Sequence, residues 1–328
     1  MFNGSDQFLA LAYSRVLQKH WTLDLHELAG TTTLANGEFA YVTVPSADLF
    51  ALPVNELFDN RTNYFESRVD LVWEQSRRLS FDFGGQGFLV RREFIALAGL
   101  NGYAAHAGVA YRLTRRQTIG ASYQHIHFDF QRTFGEARVE TAALGYSIAL
   151  ARNLDVAVQI GGSRVDTLGL NQVAIDPAIA AIIGQNFATV TFSRSLYAPL
   201  AEARLIQRVR RSTLTLALTN GISPGNGLYL TSRQTAATAG FSYTGVHRFT
   251  AALNASYNRL SSLGQTLPEL TNFQGGGGLT YRLAADTHLE LRYDYRHYAT
   301  QDFIYKKDSN RVSLGLAYSP GLAPLAIW

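Results

Sequence analysis

His288-Leu289-Glu290-Leu291-Arg292-Tyr293-Asp294-Tyr295-Arg296 alternates without a break between a face of Leu, Leu, Tyr and Tyr and a face of Glu, Arg, Asp and Arg. Successive side chains on a strand point to opposite sides, so this stretch is a strand with one apolar and one polar face. Thr213-Leu214-Thr215-Leu216-Ala217-Leu218-Thr219 and Phe249-Thr250-Ala251-Ala252-Leu253-Asn254-Ala255-Ser256-Tyr257 repeat the pattern. A soluble sandwich also alternates, but four ionised side chains in a row need water along the whole strand. Repeated around about fifteen strands, apolar outside and polar inside describes a closed antiparallel transmembrane β-barrel.

Working outward, the alternation predicts strands over 6–18, 21–31, 62–75, 78–88, 102–113, 116–130, 137–150, 153–164, 190–209, 212–221, 228–243, 246–259, 272–283, 286–298 and 307–319. Tight connections (Lys19-His20, Thr114-Arg115, Ala151-Arg152, Arg210-Arg211) alternate with longer ones at 32–61, 89–101, 131–136, 165–189, 222–227, 260–271 and 299–306. Outer-membrane barrels are built this way, with short periplasmic turns and longer extracellular loops. Tyr13, Tyr111, Tyr146, Tyr243, Tyr281 and Tyr318 recur before the tight turns on the apolar face, as an interfacial girdle requires. Residues 1–328 read as one barrel domain. Both the first and the last strand descend to the tight-turn side. Bacterial barrels favour even strand numbers, so a sixteenth strand is expected before Met1. The start Met1-Phe2-Asn3-Gly4-Ser5 shows no secretory leader and reads as a mature or trimmed end.

Composition excludes several classes. There is no cysteine, which removes disulfides and thiolate chemistry. No stretch approaches the ~18 continuous apolar residues of a membrane helix. A net charge of +4 without a Lys/Arg run argues against nucleic acid. No cofactor is implied. Gln274-Gly275-Gly276-Gly277-Gly278-Leu279 lacks the Lys-Ser/Thr of a phosphate loop and sits in a strand, where glycines permit bending or close packing.

The polar face supplies the candidate pore-lining residues: Glu66, Arg68, Asp70, Arg112, Glu202, Arg204, Arg248, Arg282, Glu290, Arg292, Asp294, Arg296 and Arg311. Such an interior is wet and nearly charge-balanced, and about sixteen strands leave an aqueous channel. Glu290, Arg292, Asp294 and Arg296, flanked by Arg282 and Arg311, form a ladder with two readings. It is either a constriction or a set of ion pairs bracing the wall. Inward aromatic side chains are few, with Tyr64 and Tyr298 the main ones.

Three further features are open at this level. His125-Ile126-His127 with Asp129 offers two imidazoles and a carboxylate to a metal. There the alternation also switches face, through a bulge or at the membrane rim. His26 beside Asp24, His106 and His288 point inward without a nucleophile signature, so they read as solvated lumen residues and the chain as no enzyme. Asp176-Pro177 through Gly184 reads as a short capped helix in the loop 165–189, folding either into the mouth or over the rim. The loop 32–61, with its apolar run, is the other candidate plug.

The ending Gly315-Leu316-Ala317-Tyr318-Ser319-Pro320-Gly321, with Trp328 last, resembles that of bacterial outer-membrane β-barrels. With the Tyr111-Arg112-Leu113 and Tyr281-Arg282-Leu283 hairpins, it is also similar to the β-barrel porins associated with exopolysaccharide and capsule operons. The resemblance implies an outer-membrane location, handling by barrel-assembly machinery, contact with lipid and lipopolysaccharide, and possible homo-oligomers. The function it implies is passive passage of small hydrophilic solutes, with glycan export, a barrel enzyme or a non-conducting receptor barrel as alternatives. Pro320-Gly321 and Pro324 separate the last strand from Trp328, a departure from that pattern.

Overall fold

Alternation over so many segments leaves each strand with an oily face to cover. A computed structural model, which describes residues 7–32, 61–176, 182–264, 267–284, 286–300 and 306–318, meets this with a single sheet. Its strands are β1 (Gln7–Gln18), β2 (Trp21–Thr32), β3 (Thr62–Glu74), β4 (Leu79–Arg92), β5 (Gly99–Arg112), β6 (Gln117–Gln131), β7 (Gly135–Ala151) and β8 (Leu154–Ala174). They continue as β9 (Phe187–Val209), β10 (Ser212–Ser223), β11 (Ser232–Val246), β12 (Phe249–Ser262), β13 (Leu270–Arg282), β14 (Thr287–Thr300) and β15 (Lys306–Tyr318). Each pairs antiparallel with its sequence neighbours in one fifteen-stranded meander. No pairing joins β1 to β15 among the described residues. The sheet nonetheless winds round: Leu230 and Leu263, from loops beside β10–β13, pack on inward side chains of β2–β8.

All fifteen expected strands are present, with β4 running on to Arg92 and three further differences. Residues 165–174 continue β8 and pair with β9 down to Ala174 opposite Phe187, rather than forming loop. Residues 228–231 are loop, not the start of β11. At His125 there is no bulge, because β6 pairs with β5 and β7 in unbroken register.

The face switch at His125 is general, and it marks the membrane edge. On β3, β5, β12 and β13 the outward aromatic near the tight turn (Trp73, Tyr111, Phe249, Tyr281) is followed eight residues along the strand by another (Phe65, Tyr103, Tyr257, Phe273). At ~3.3 Å per residue and a tilt of ~40°, that spacing is about 20 Å, close to the apolar band of an outer-membrane barrel. Between the two rows the outward side chains are apolar and exposed, such as Leu253 at 61 % and Leu144 at 64 %. The tight-turn girdle is continuous in places: Trp21 stacks on Trp73 at 5.4 Å and Trp73 on Phe81 at 5.2 Å.

Beyond the second row the pattern inverts. Outward positions become His125, His127, Asp129, Glu136, Arg138 and Arg259. Inward positions become apolar and buried: Phe88, Val90, Leu100, Ile126, Phe128, Phe130, Val139 and Val165. The loop half of each strand therefore stands in water and follows the ordinary rule of oil inside, while the turn half stands in lipid and reverses it. The hydrophobic core of this protein sits in the loop-end mouth.

Candidate functional site

The turn halves of the strands carry their polar residues on the inward face, where side chains lie over glycines of the neighbouring strands. On β3 the Arg68 guanidinium bonds Asp70 at 2.6 Å. His106 Nε2 from β5 lies 3.5 Å from Asp70 and 3.9 Å from Asp82. Gly84 faces this group, and a Cβ there would strike both Asp70 and His106. A second group mirrors it: Arg292 Nε meets Asp294 at 2.7 Å on β14, opposite Gly276, whose Cβ would lie 2.5 Å from Asp294 Oδ1. The glycine run in β13 is thus what lets an acidic side chain lie flat on the wall. Thr141 and Ser163 hydroxyls, 2.8 Å apart, and Gln159 donating to Ser122 at 3.1 Å continue the polar lining on β6–β8.

The structure divides the expected pore-lining residues by depth. Arg68, Asp70, Glu202, Arg204, Glu290, Arg292 and Asp294 lie half-buried on the inward face, and Arg311 stands opposite Asp294. Glu66 and Arg296 are only 3 % and 6 % exposed, so they belong to the packed mouth rather than to open water. Arg296 donates to the Tyr298 hydroxyl at 2.8 Å and to Gln274 at 3.4 Å. Three cations sit at the turn rim: Arg112 and Arg282 end their strands, and Arg248 occupies a tight turn with φ 67°. The Arg292–Asp294 contact of the ladder runs along one strand. Tyr64 and Tyr298 are buried in the mouth, not arrayed along a track.

A loop that sequence reading missed lies across the mouth as a lid. Ser223-Pro224-Gly225-Asn226-Gly227-Leu228-Tyr229-Leu230-Thr231 leaves β10 and reaches the β4–β5 loop, where Gly227 O accepts from Ala98 N at 3.0 Å. Buried Arg92 ties the same spot, donating to Ala98 O at 2.6 Å. Gly227, at φ 86°, leaves no space for a Cβ between Ala98 O and Arg92. The Asn226 side chain accepts from Tyr229 N at 3.0 Å, turning the loop inward. Leu230 then packs on the mouth core and Tyr229 on Leu260, Leu270 and Tyr298. Pro-Gly-Asn-Gly signals a turn, but only the partners across the barrel make that turn a cover.

Behind the lid, the Tyr229 hydroxyl donates to Pro268 O at 2.5 Å. Next to Pro268, Glu269 accepts from Ser261 at 2.7 Å and from Arg259 at 2.8 Å. The Ser261 hydroxyl is the main reason the Glu269 carboxyl falls below its ordinary 4.5; burial pulls it back, and Arg259 adds to the lowering. A carboxylate so lowered stabilises the fold fully above its ordinary value, and that contribution is lost as pH falls through the lowered one. The stability difference between wild type and Glu269→Gln, read by urea unfolding in lipid vesicles, is thus expected to be constant from neutral pH down to about 4.5 and to shrink below it. A difference that does not change as pH falls would contradict this.

Other expected features fall outside the lumen. Ile182 and Ile183 are helical and 87 % and 57 % exposed, and Gly184 follows at φ 70°, so these isoleucines do not fill the mouth. The remainder of that helix, residues 33–60 of the long loop, and Trp328 lie outside the described residues. His125 and His127 point outward, with His127 opposite Tyr103 of the second aromatic row.

No family model and no curated protein matches the chain. Solved structures do. The ferric citrate transporter FecA, in its unliganded form, is similar at TM-score 0.53 with 10 % identity, over 97 % of this chain and 56 % of that one. The alcaligin outer-membrane receptor FauA from Bordetella pertussis is similar at TM-score 0.50 with 11 % identity, over 97 % and 58 %. The chain spans less than three fifths of the length of either. At such identity the likeness concerns the fold, and the fold is that of an outer-membrane β-barrel.

Proposed function

We propose that this outer-membrane barrel is a gated channel for small hydrophilic solutes, passing them passively when the 224–231 lid swings aside. The observation that carries the reading is the reversal of the inner face. A polar, ion-paired turn half lies directly beneath an apolar loop-end plug, the arrangement of a water-filled conduit with a hydrophobic gate. Export of a glycan is the rival solute. It is less favoured because both inward tyrosines are packed away in the mouth. No catalytic role is proposed for His106, whose neighbours Asp70 and Asp82 bind it into the wall.

Reconstitution of the purified chain in planar bilayers tests the reading. Brief openings from a mostly closed baseline are expected, and a protein that inserts yet stays silent, with and without its lid, would overturn it. Ion preference follows from the ladder. Arg292→Gln leaves Asp294 without its 2.7 Å guanidinium partner. The cation-to-anion permeability ratio should rise about twofold to fivefold, the weight of up to ~1 kcal/mol for one charge in a wet lumen. Reversal potentials under a salt gradient read this out, and unchanged potentials would place Arg292 off the path.

A further inference from the structure

On the outer wall, where His127 stands opposite the girdle residue Tyr103, β6 and β7 bring together His127, Asp129 and Glu136. One ligand atom from each lies within 4.8 Å of the other two. His127 and Asp129 are two apart on one strand and share its outward face, with Nε2 3.5 Å from Asp129 Oδ2. Glu136 sits directly opposite Asp129 in the strand register. Two carboxylates facing each other across a ladder repel, so the pairing itself calls for a cation between them. Arg138 answers only in part: it is 59 % exposed and stands 3.7 Å from Glu136. The His127 side chain is 16 % exposed, with the Tyr103 ring 5.4 Å away.

From this geometry we infer a divalent metal site on the outer surface of the barrel, with His127 Nε2 and one oxygen each from Asp129 and Glu136 as ligands. The donor set selects the class of ion. One imidazole with two carboxylates suits zinc and its first-row neighbours, whereas calcium and magnesium prefer oxygen alone. Closing three ligand atoms from under 4.8 Å onto bond lengths of ~2.0–2.2 Å takes only rotation of exposed carboxylates. The remaining positions open outward, at the edge of the lipid band. The site is separate from the lumen and does not depend on conduction.

Zinc chloride titrated into the full chain in detergent, followed by calorimetry and by metal analysis after dialysis, tests the inference. One zinc per chain is expected. His127→Ala and Glu136→Gln should each weaken binding by at least roughly tenfold, the least that losing even a supporting group of a metal site costs. His106→Ala, in the lumen wall, should leave it unchanged. Heat-modifiable migration on gels verifies that each variant is folded. No bound zinc, zinc retained in folded His127→Ala, or zinc lost equally from His106→Ala would overturn the site.

Discussion

Tyr229→Ala should convert a mostly closed barrel into a mostly conducting one. Tyr229 is 2 % exposed, packs with Leu260, Leu270 and Tyr298, and donates its hydroxyl to Pro268 O. Truncating so large a buried ring costs about 3 kcal/mol. If the closed state alone holds it, the closed-to-open ratio falls by roughly 100-fold. Time-averaged current in planar bilayers measures this. Tyr257→Ala removes an outward girdle tyrosine of the same size and should leave open probability unaltered. Replacing 224–231 by a two-residue Asn-Gly turn is the stronger version. Ser223 and Ser232 are already cross-strand partners, so the hairpin closes without the lid. That variant should stay open throughout. A lidless barrel with wild-type current would show that the plug is not the gate.

Leu253→Arg is the second large effect. Leu253 is 61 % exposed, and a change at such a site in a soluble protein would lie within about ±0.5 kcal/mol. Leu253 lies midway between Phe249 and Tyr257 on β12, the middle of the lipid band. There an arginine costs about 2–4 kcal/mol. Urea unfolding in lipid vesicles should show a loss of that size, while Asn63→Arg, exposed two residues beyond Phe65 on β3 and so above the band, should show little. Equal effects at both sites would mean that the outer wall meets a single solvent.

The sheet was legible because lipid enforces alternation residue by residue. Strand number, order and the tight turns all followed from it. The upper halves of the strands were harder to read for a physical reason. Once a strand leaves the lipid, the favoured side for an apolar residue swaps, so Ile126, Phe128 and Phe130 look like a slipped register on β6. The same swap hid the extent of β4 and β8, whose ends were taken for loop. The ion pairs were legible in part. Arg292 and Asp294 share a face in any strand, but the burial of Arg296 and Glu66 is set by the packed mouth, and the lid's partners Ala98 and Pro268 lie far away in sequence. Nothing local in Gly227 announces a contact with Arg92. Glu136 was overlooked as a metal ligand for a similar reason: it joins His127 and Asp129 only through pairing across the β6–β7 hairpin.

The reversal of faces along one strand can be measured directly, because the chain contains no cysteine. Single cysteines placed along β12 in lipid vesicles, reacted with a membrane-impermeant maleimide present on both sides of the bilayer, report which positions meet water. The account predicts labelling at Ala252, Asn254 and Ser256 and protection at Ala251, Leu253 and Ala255. Above the band this becomes labelling at Arg259 and Ser261 and protection at Asn258 and Leu260. Alternation that keeps one parity from Phe249 to Ser262, or labelling at every position, would contradict it.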